Sequence, residues 1–203
     1  MHSMQRRAEY RERKVLIVSV GGVAGSGKSH FARMLKNRIP GSKVIEINRV
    51  AKGYNLYSKV DKYGTKIVRL RELGKVLNDK IRGLKGVVIV VGHLSVELPI
   101  KADIVVIVRA ELKDIESRLK RRGYADGKIS ENIVSEAVGY SSDKVISKYK
   151  EVFEVMIAKE KRSLISYIAD VYYGRRAKRP KLKRVDMLMD MMKFIKEGNH
   201  YRL

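Results

Sequence analysis

The chain has 203 residues, 44% hydrophobic and 33% charged, which indicates one globular domain rather than a disordered protein. Lysine and arginine number 45 against 22 aspartates and glutamates, so the net charge of +23 favours polyanionic partners or, alternatively, a highly charged solvated surface. The absence of cysteine excludes disulfides, cysteine-ligated zinc and thiol catalysis.

The amino-terminal segment, residues 1–13, is charged and carries no apolar signal sequence, which predicts a mobile basic arm before one domain over residues 14–203. No apolar stretch reaches the roughly 20 residues of a membrane helix, and we expect a cytoplasmic protein. The domain opens with the buried-strand pattern "KVLIVSV". A glycine-rich turn and the amphipathic pattern "KSHFARMLKNRI" follow, and "PG" at 40–41 ends that helix.

The rest of the chain alternates strand and helix patterns. Apolar runs predict strands at "SKVIEI", "GVVIVV" and "ADIVVIV", while residues 48–66 show no clear pattern. Helical spacing appears in "LRELGKVLNDKIRGL", "ELKDIESRLKRRG", a helix capped by Ser130, a long stretch over 141–168 and "VDMLMDMMKFIKEG". With "ADVYY" as a possible last strand, this order predicts a three-layer α/β fold with a mainly parallel sheet of about five strands.

The turn after the first strand spells G-x-x-x-x-G-K-S, and its position between a strand and a helix is what a phosphate-binding loop requires. Glycines let backbone N–H groups converge on one point, and the helix N-terminus adds positive potential there. Lys28 is predicted to reach the β- and γ-phosphates, and Ser29 to bind Mg²⁺. The predicted ATP-binding residues of the loop are Gly22, Ala24, Gly25, Ser26, Gly27, Lys28 and Ser29.

A second informative stretch, "RLKRRGYADGKISENIVSEAVG", covers residues 118–139. Arg118, Arg121 and Arg122 surround a glycine-bounded turn, so their guanidinium groups are candidates for closing over a triphosphate. The charges alone equally fit a solvated basic helix end.

Four segments together resemble the adenylate kinase isoenzyme 6 family in its archaeal form: the phosphate loop, "VVGHLSVELP", "ADIVVIVR" and "RLKRRGYADGKISENIVSEA". The resemblance covers about residues 14–140. It implies a P-loop nucleoside monophosphate kinase fold with a short lid over about 121–131, transfer of the terminal phosphate of ATP to AMP, and ATPase activity. It also implies action in small ribosomal subunit maturation and rRNA processing, through a small-subunit ribosomal protein beside the rRNA.

The resemblance assigns roles to single residues. Arg122 matches the lid arginine that contacts ATP, and His93 matches a histidine implicated in hydrolysis. Lys28, His93, Arg118 and Arg122 are therefore the catalytic candidates, with Mg²⁺ on Ser29 and Asp103 as a possible acidic helper.

The chain also departs from the family. Val91 stands where relatives carry an acid two residues before the histidine, and Arg69 lies in a region where relatives are acidic, with Asp61 and Glu72 nearby. These departures leave open slow transfer to AMP, a different small acceptor, or an assembly factor for rRNA and ribosomal protein in which ATP is only a switch. The basic loop 175–184 is either a solvated loop or an rRNA contact.

Overall fold

A computed structural model describes residues 15–60 and 66–196, so the predicted arm over 1–13 and Asp61 lie outside the described residues. Its main sheet has five parallel strands in the order β2-β5-β1-β6-β7, which confirms the predicted sheet. A separate antiparallel pair joins β3 to β4. The strands are β1 (Val15–Gly21), β2 (Lys43–Glu46), β3 (Tyr57–Val60), β4 (Lys66–Val68), β5 (Gly86–Val91), β6 (Ile104–Arg109) and β7 (Val152–Met156).

Helices cover both faces of the sheet, as the alternating sequence pattern predicted. They are α1 (Lys28–Arg38), α2 (Ile47–Gly53), α3 (Leu70–Ile81), α4 (Leu112–Lys120), α5 (Asp126–Ala137), α6 (Tyr140–Ile146), α7 (Lys161–Tyr172) and α8 (Leu188–Lys196), with a single 3₁₀ turn at His93–Val96. In the part of the chain that the structure describes, no helix combines the length and apolar character needed to cross a bilayer.

The core divides at the sheet because alternate side chains of each strand point to opposite faces. The larger cluster joins β1 and β6 to α1, α4, α5, α7 and α8, with Val18, Phe31 and Leu35 fully buried. The smaller clusters bury the other face against α2 and α3 near β5, and against α6 near β6. Nearly continuous apolar runs in β5 and β6 follow from burial on both faces.

Three expectations about elements were wrong. The stretch 141–168 is not one helix, because β7 interrupts it and adds the fifth strand to β6. The sequence "ADVYY" continues α7 instead of forming a strand. Helix α5 begins at Asp126, four residues before the cap predicted at Ser130, and Ala125 takes the N-cap position.

The chain after α7 crosses the outer strand β7 as an extended segment, residues 175–187, which we call the strap. Val185 donates its N–H to Glu154 at 3.1 Å, and Leu182 packs against the larger core. From there α8 packs on α4 and α5. The basic loop predicted at 175–184 therefore forms most of this strap.

Candidate nucleotide-binding site

The glycine-rich loop leaves β1 at the carboxyl edge of the parallel sheet, where ligands of such sheets bind. Gly22 has φ 132°, and a Cβ atom there would lie 2.4 Å from the Val108 carbonyl oxygen. Gly27 has φ 103° and stands directly before α1, packed close to Ile157. Only glycine fits the first position, because both the backbone angle and the neighbouring strand exclude a side chain.

Lys28 lies in the first turn of α1 and folds back over the loop. Its Nζ donates to the Val23 carbonyl oxygen at 2.5 Å. Burial lowers the pKa of Lys28 to about 8, Glu136 opposes this shift, and the Arg122 charge adds to it. At neutral pH the ammonium therefore stays largely charged, while among the described residues no carboxylate pairs with it.

Two serines of the loop differ in environment. Ser26 is fully buried, and its Oγ has no hydrogen-bond partner within the described chain. Ser29 is exposed and borders the cavities beside the loop. Within the described residues no cluster of three or more His, Asp or Glu forms a metal cage.

Helices α4 and α5 supply two side chains that bind the loop backbone. Arg118 donates to the Gly25 carbonyl oxygen at 2.9 Å and pairs with Asp114 at 2.6 Å. On α5, the Asn132 Oδ1 accepts from the Ala24 N–H at 3.0 Å, while its Nδ2 donates to the Lys128 carbonyl at 2.7 Å. An amide of the phosphate loop is thus bonded to the helix that follows the predicted lid turn.

His93 opens the 3₁₀ turn after β5 and faces the larger cavity. Its ring keeps accessible surface because it borders that cavity, yet protein surrounds it on the other sides. This desolvation, and then the charges of Lys28 and Lys128, lower the pKa of His93 to about 4, against a weaker opposing effect of Glu97. The imidazole is therefore neutral near pH 7.

Two cavities flank the loop. The larger, about 540 Å³, extends from the loop to the ends of β2 and β5 and to the start of α5. The smaller, about 320 Å³, lies between the loop, Arg118 and Ile157. Four residues border both cavities: Gly25, Lys28, Ser29 and Arg122. The segment 121–131 consists of the turn after α4 and the first half of α5, and it forms one wall of the larger cavity.

Three predicted or doubtful positions lie elsewhere or have other partners. Asp103 directly precedes β6, at the end of that strand opposite the loop. Its carboxylate accepts a hydrogen bond from the Ile17 N–H at 2.8 Å, and Ile17 lies about 13 Å along β1 from Gly21. Asp103 is therefore no helper for a metal on Ser29. Arg69 pairs with Glu72 at 3.0 Å and donates to the Asn55 carbonyl at 3.0 Å. Val91 is 5% exposed and packs in the larger core, and together with His93 it borders the larger cavity.

Sequence reasoning missed several residues that line the larger cavity. Glu46 is the last residue of β2, Asn48 is the second residue of α2, and Asn132 and Ser135 lie one turn apart on α5. Glu46 had a signal, because polar residues at carboxyl ends of parallel strands face the ligand crevice. The role of Asn132 had no signal in the sequence, because its hydrogen-bond partner Ala24 is 108 residues away along the chain.

A buried charge cluster lies beside the site. Arg109, the last residue of β6, is 1% exposed and pairs with Glu136 and with Glu154, each at 2.9 Å. Glu136 also accepts from the Ala110 N–H at 3.0 Å. Burial raises the pKa of the Glu136 carboxyl, while Arg109 opposes that shift. The cluster fixes α5 against β6 and β7, and so fixes the wall that carries Asn132.

Comparisons with known proteins agree with this geometry. A family model described as an AAA domain matches residues 18–139. A Methanosarcina barkeri protein named "Putative adenylate kinase" is 32% identical over 142 residues, which are 69% of this chain and 76% of that protein. The Saccharomyces cerevisiae adenylate kinase isoenzyme 6 homolog FAP7 is 30% identical over 158 residues, 76% of this chain and 79% of its own.

Solved structures agree at the level of the fold. A shikimate kinase from Acinetobacter baumannii superposes with a TM-score of 0.52 at 15% identity, over 85% of this chain and 99% of that one. A sugar kinase from Janibacter superposes with a TM-score of 0.53 at 14% identity, over 80% and 96% of the two chains. At these identities the likeness establishes the P-loop kinase fold alone.

Proposed function

Because the chain belongs to the adenylate kinase isoenzyme 6 family, we propose that it transfers the terminal phosphate of ATP to AMP and, more slowly, to water. The observation that carries this proposal is the shared wall of the two cavities. Its members are Lys28, Ser29 and Arg122, together with the backbone at Gly25. A donor in one cavity and an acceptor in the other would meet where the cationic side chains are concentrated.

ATP occupies the loop and the smaller cavity in this proposal, with its triphosphate on the amides of residues 24–29. AMP occupies the larger cavity, and an oxygen of its phosphate attacks the γ-phosphorus. The bond to the β–γ bridging oxygen breaks, and two molecules of ADP result. Lys28 and Arg122 stabilise the charge on the transferring group, which is most of what a phosphoryl transferase supplies. Arg118 acts on the same charge and holds the loop through Gly25.

Mg²⁺ bound to the ATP phosphates neutralises their charge when present, and the Ser29 hydroxyl is the protein group that would hold it. The exposed hydroxyl fits this role because it borders both cavities at the start of α1. Glu46 and Glu131 line the larger cavity, and their carboxylates are the candidates for orienting water around the bound nucleotide in place of Asp103.

His93 serves the hydrolytic reaction in this proposal. A neutral imidazole accepts a hydrogen bond from water, and it can do so from the wall of the acceptor cavity when AMP is absent. The low pKa of His93 keeps it neutral throughout the physiological range. Val91 offers no carboxylate to orient that water, which is why we expect hydrolysis to be slower than transfer.

The test is a coupled assay of ADP formation by the purified protein with Mg²⁺ and ATP, with AMP, with other nucleoside monophosphates and without acceptor. We expect the fastest ADP formation with AMP, and a loss of about 10²- to 10³-fold in Lys28→Ala. Lys36→Ala, an exposed lysine two turns along the same helix, is the matched control and should stay active. Wild-type protein that forms no ADP under any of these conditions contradicts the proposal.

A second candidate function is an ATP-switched assembly factor for a small-subunit ribosomal protein and rRNA in the cytoplasm. Two observations favour it: Val91 lies where the family carries an acid, and Arg69 is engaged by Glu72 and the Asn55 carbonyl. This function predicts that ATP changes RNA affinity while AMP adds no ADP formation. RNA affinity that is equal with and without ATP contradicts it.

A further inference from the structure

The strap has a regular two-sided pattern. Ala177, Pro180, Leu182 and Val185 turn partly inward, and Met187 is buried. Lys178, Lys181 and Lys183 are exposed between them. In extended chain, successive side chains point to opposite sides, so inward packing of Leu182 holds the two flanking lysines outward. This is an ordered cationic surface rather than a free loop.

Two strap arginines form ion pairs that hold the segment in place. Arg179 pairs with Glu151 at 3.3 Å and lies over the Phe153 ring at 4.9 Å. Arg184 bonds Asp143 and approaches Glu154 at 3.9 Å. In contrast, none of the three exposed lysines has an ion pair in the part of the chain that the structure describes.

An aromatic pair stands where the strap begins. Tyr172 and Tyr173 end α7, they are 38% and 41% exposed, and their ring centroids lie 5.0 Å apart in an edge-to-face arrangement. The Arg175 guanidinium lies 4.8 Å from the Tyr173 ring centre. The sequence "ADVYY" continues α7 instead of forming the predicted strand, and the helix end leaves both tyrosines at the surface. Exposed rings with an adjacent guanidinium form a stacking platform for unpaired bases.

We propose that the strap and the tyrosine pair bind single-stranded RNA. Lys178, Lys181 and Lys183 contact the phosphates, and Tyr172, Tyr173 and Arg175 stack on bases. The choice of RNA rests on the second candidate function, which acts on rRNA, whereas the surface rests on its own geometry. Rings beside the cations favour single strands over duplex RNA or an acidic protein, since neither of those presents free bases.

Three triple or double variants separate the contributions. K178Q/K181Q/K183Q removes the phosphate contacts while leaving Arg179 and Arg184 in place. Y172A/Y173A removes the platform. K52Q/K75Q/K80Q removes the same number of exposed lysines from α2 and α3, which pack on the opposite face of the sheet from α7. Anisotropy of labelled oligouridylate and of duplex RNA is measured over a salt series, and thermal melting checks folding.

We expect the plot of log affinity against log salt to be less steep in the lysine variant, by about 2 in the slope. This corresponds to an RNA affinity about 100-fold weaker at 0.1 M salt. The tyrosine variant should lose about tenfold with an unchanged slope and only for the single strand. The control triple should change little. Equal losses in the control and strap variants, or equal affinity of all variants for the single strand, overturn the proposal. Preference for the duplex or for polyglutamate also overturns it.

A second measurement does not depend on the variants. Amine labelling of the wild-type protein, read by mass spectrometry, should show protection of Lys178, Lys181 and Lys183 by oligouridylate but none at Lys75. Uniform protection contradicts the strap surface. ADP formation measured on the same strap variants should remain unchanged, so failure of the kinase proposal and failure of the strap proposal give different results.

Discussion

Two cations, Lys28 and Arg109, lie near the carboxyl ends of neighbouring strands, and they have opposite surroundings. Arg109 is held by two carboxylates, Glu136 and Glu154. Lys28 has only the Val23 carbonyl as a hydrogen-bond partner among the described residues. A buried charge needs compensation, and in the first case the protein supplies it. In the second case the compensation is left for an anion, which is what a phosphate site requires.

Acidic partners distinguish a cation that stabilises the fold from a cation that binds a ligand. Both residues lie at the carboxyl edge of the sheet, Arg109 buried in the core and Lys28 partly exposed beside the cavities, so their position in the sheet does not distinguish them. The presence of acid partners does. Experiments that remove a charge, or change its protonation, should therefore affect unfolding at Arg109 and ligand affinity at Lys28.

The largest expected effect is at Arg109. Arg109→Ala should lower the free energy of unfolding by about 3–5 kcal/mol, because it leaves two buried carboxylates without their cation. Urea denaturation measures this change. The control is Arg82→Ala, which breaks an exposed pair with Asp79 at 3.0 Å and should cost below about 1 kcal/mol. Similar losses in both variants would remove the contrast between the two kinds of cation.

The next effect concerns the pH dependence of ATP affinity. With the pKa of Lys28 lowered to about 8, the free protein loses this charge as the pH rises past 8, while bound phosphates favour the charged form. Affinity should therefore fall by about tenfold per pH unit above 8, until the pKa of the complex is reached. Titration calorimetry from pH 7 to 9.5 measures it.

Lys28→Arg is the matched control for this titration, because arginine stays charged across the whole range. Its affinity for ATP should be lower than that of the wild type at pH 7 but nearly independent of pH. A wild-type affinity that does not change between pH 8 and 9.5 would show that Lys28 keeps its charge without a ligand.

The smallest effect is at Asn132. Asn132→Ala removes the acceptor of the Ala24 N–H, and the free protein should lose about 1 kcal/mol of stability. In saturating ATP this loss of stability should be smaller, since a phosphate oxygen accepts the hydrogen bond from the Ala24 N–H in place of Asn132. Thermal unfolding with and without ATP measures both values. Asn78→Ala, which removes an exposed bond to Pro99, should give the same deficit in both conditions.

Most of the central sheet was predictable because its physics is local. The runs at β1, β5 and β6 are apolar throughout, and the loop after β1 has a spacing that few turns share. The strand β7 was not predictable in this way. Its sequence "VFEVM" contains Glu154, and a buried carboxylate in a strand is stable only because Arg109 of β6 pairs with it. That partner is 45 residues away.

The residues of the candidate site were likewise predictable where the evidence is local and not where it depends on distant contacts. Lys28, Ser29 and the loop glycines follow from one contiguous motif, and His93 and Arg122, which were chosen from the resemblance, border one cavity. Asp103 was misplaced although its position before a parallel strand puts it at the amino edge of the sheet, opposite the ligand crevice. Asn132 and Glu46 act through tertiary contacts, and their sequence neighbourhoods resemble ordinary helix and strand ends.

The strap also protects the outer strand of the sheet from pairing with other chains. The last strand of a sheet offers unpaired backbone groups to any other extended chain, and charged or covered margins prevent such pairing. Here Arg179 pairs with Glu151 and Arg184 approaches Glu154 at the outer strand, so the strap both covers this edge and balances its charge. A chain cut before residue 175 would expose that edge and remove Arg179 from Glu151 and Arg184 from Glu154, while Arg109 would still pair with Glu154. Such a fragment should oligomerise through strand addition even where its phosphate loop remains intact.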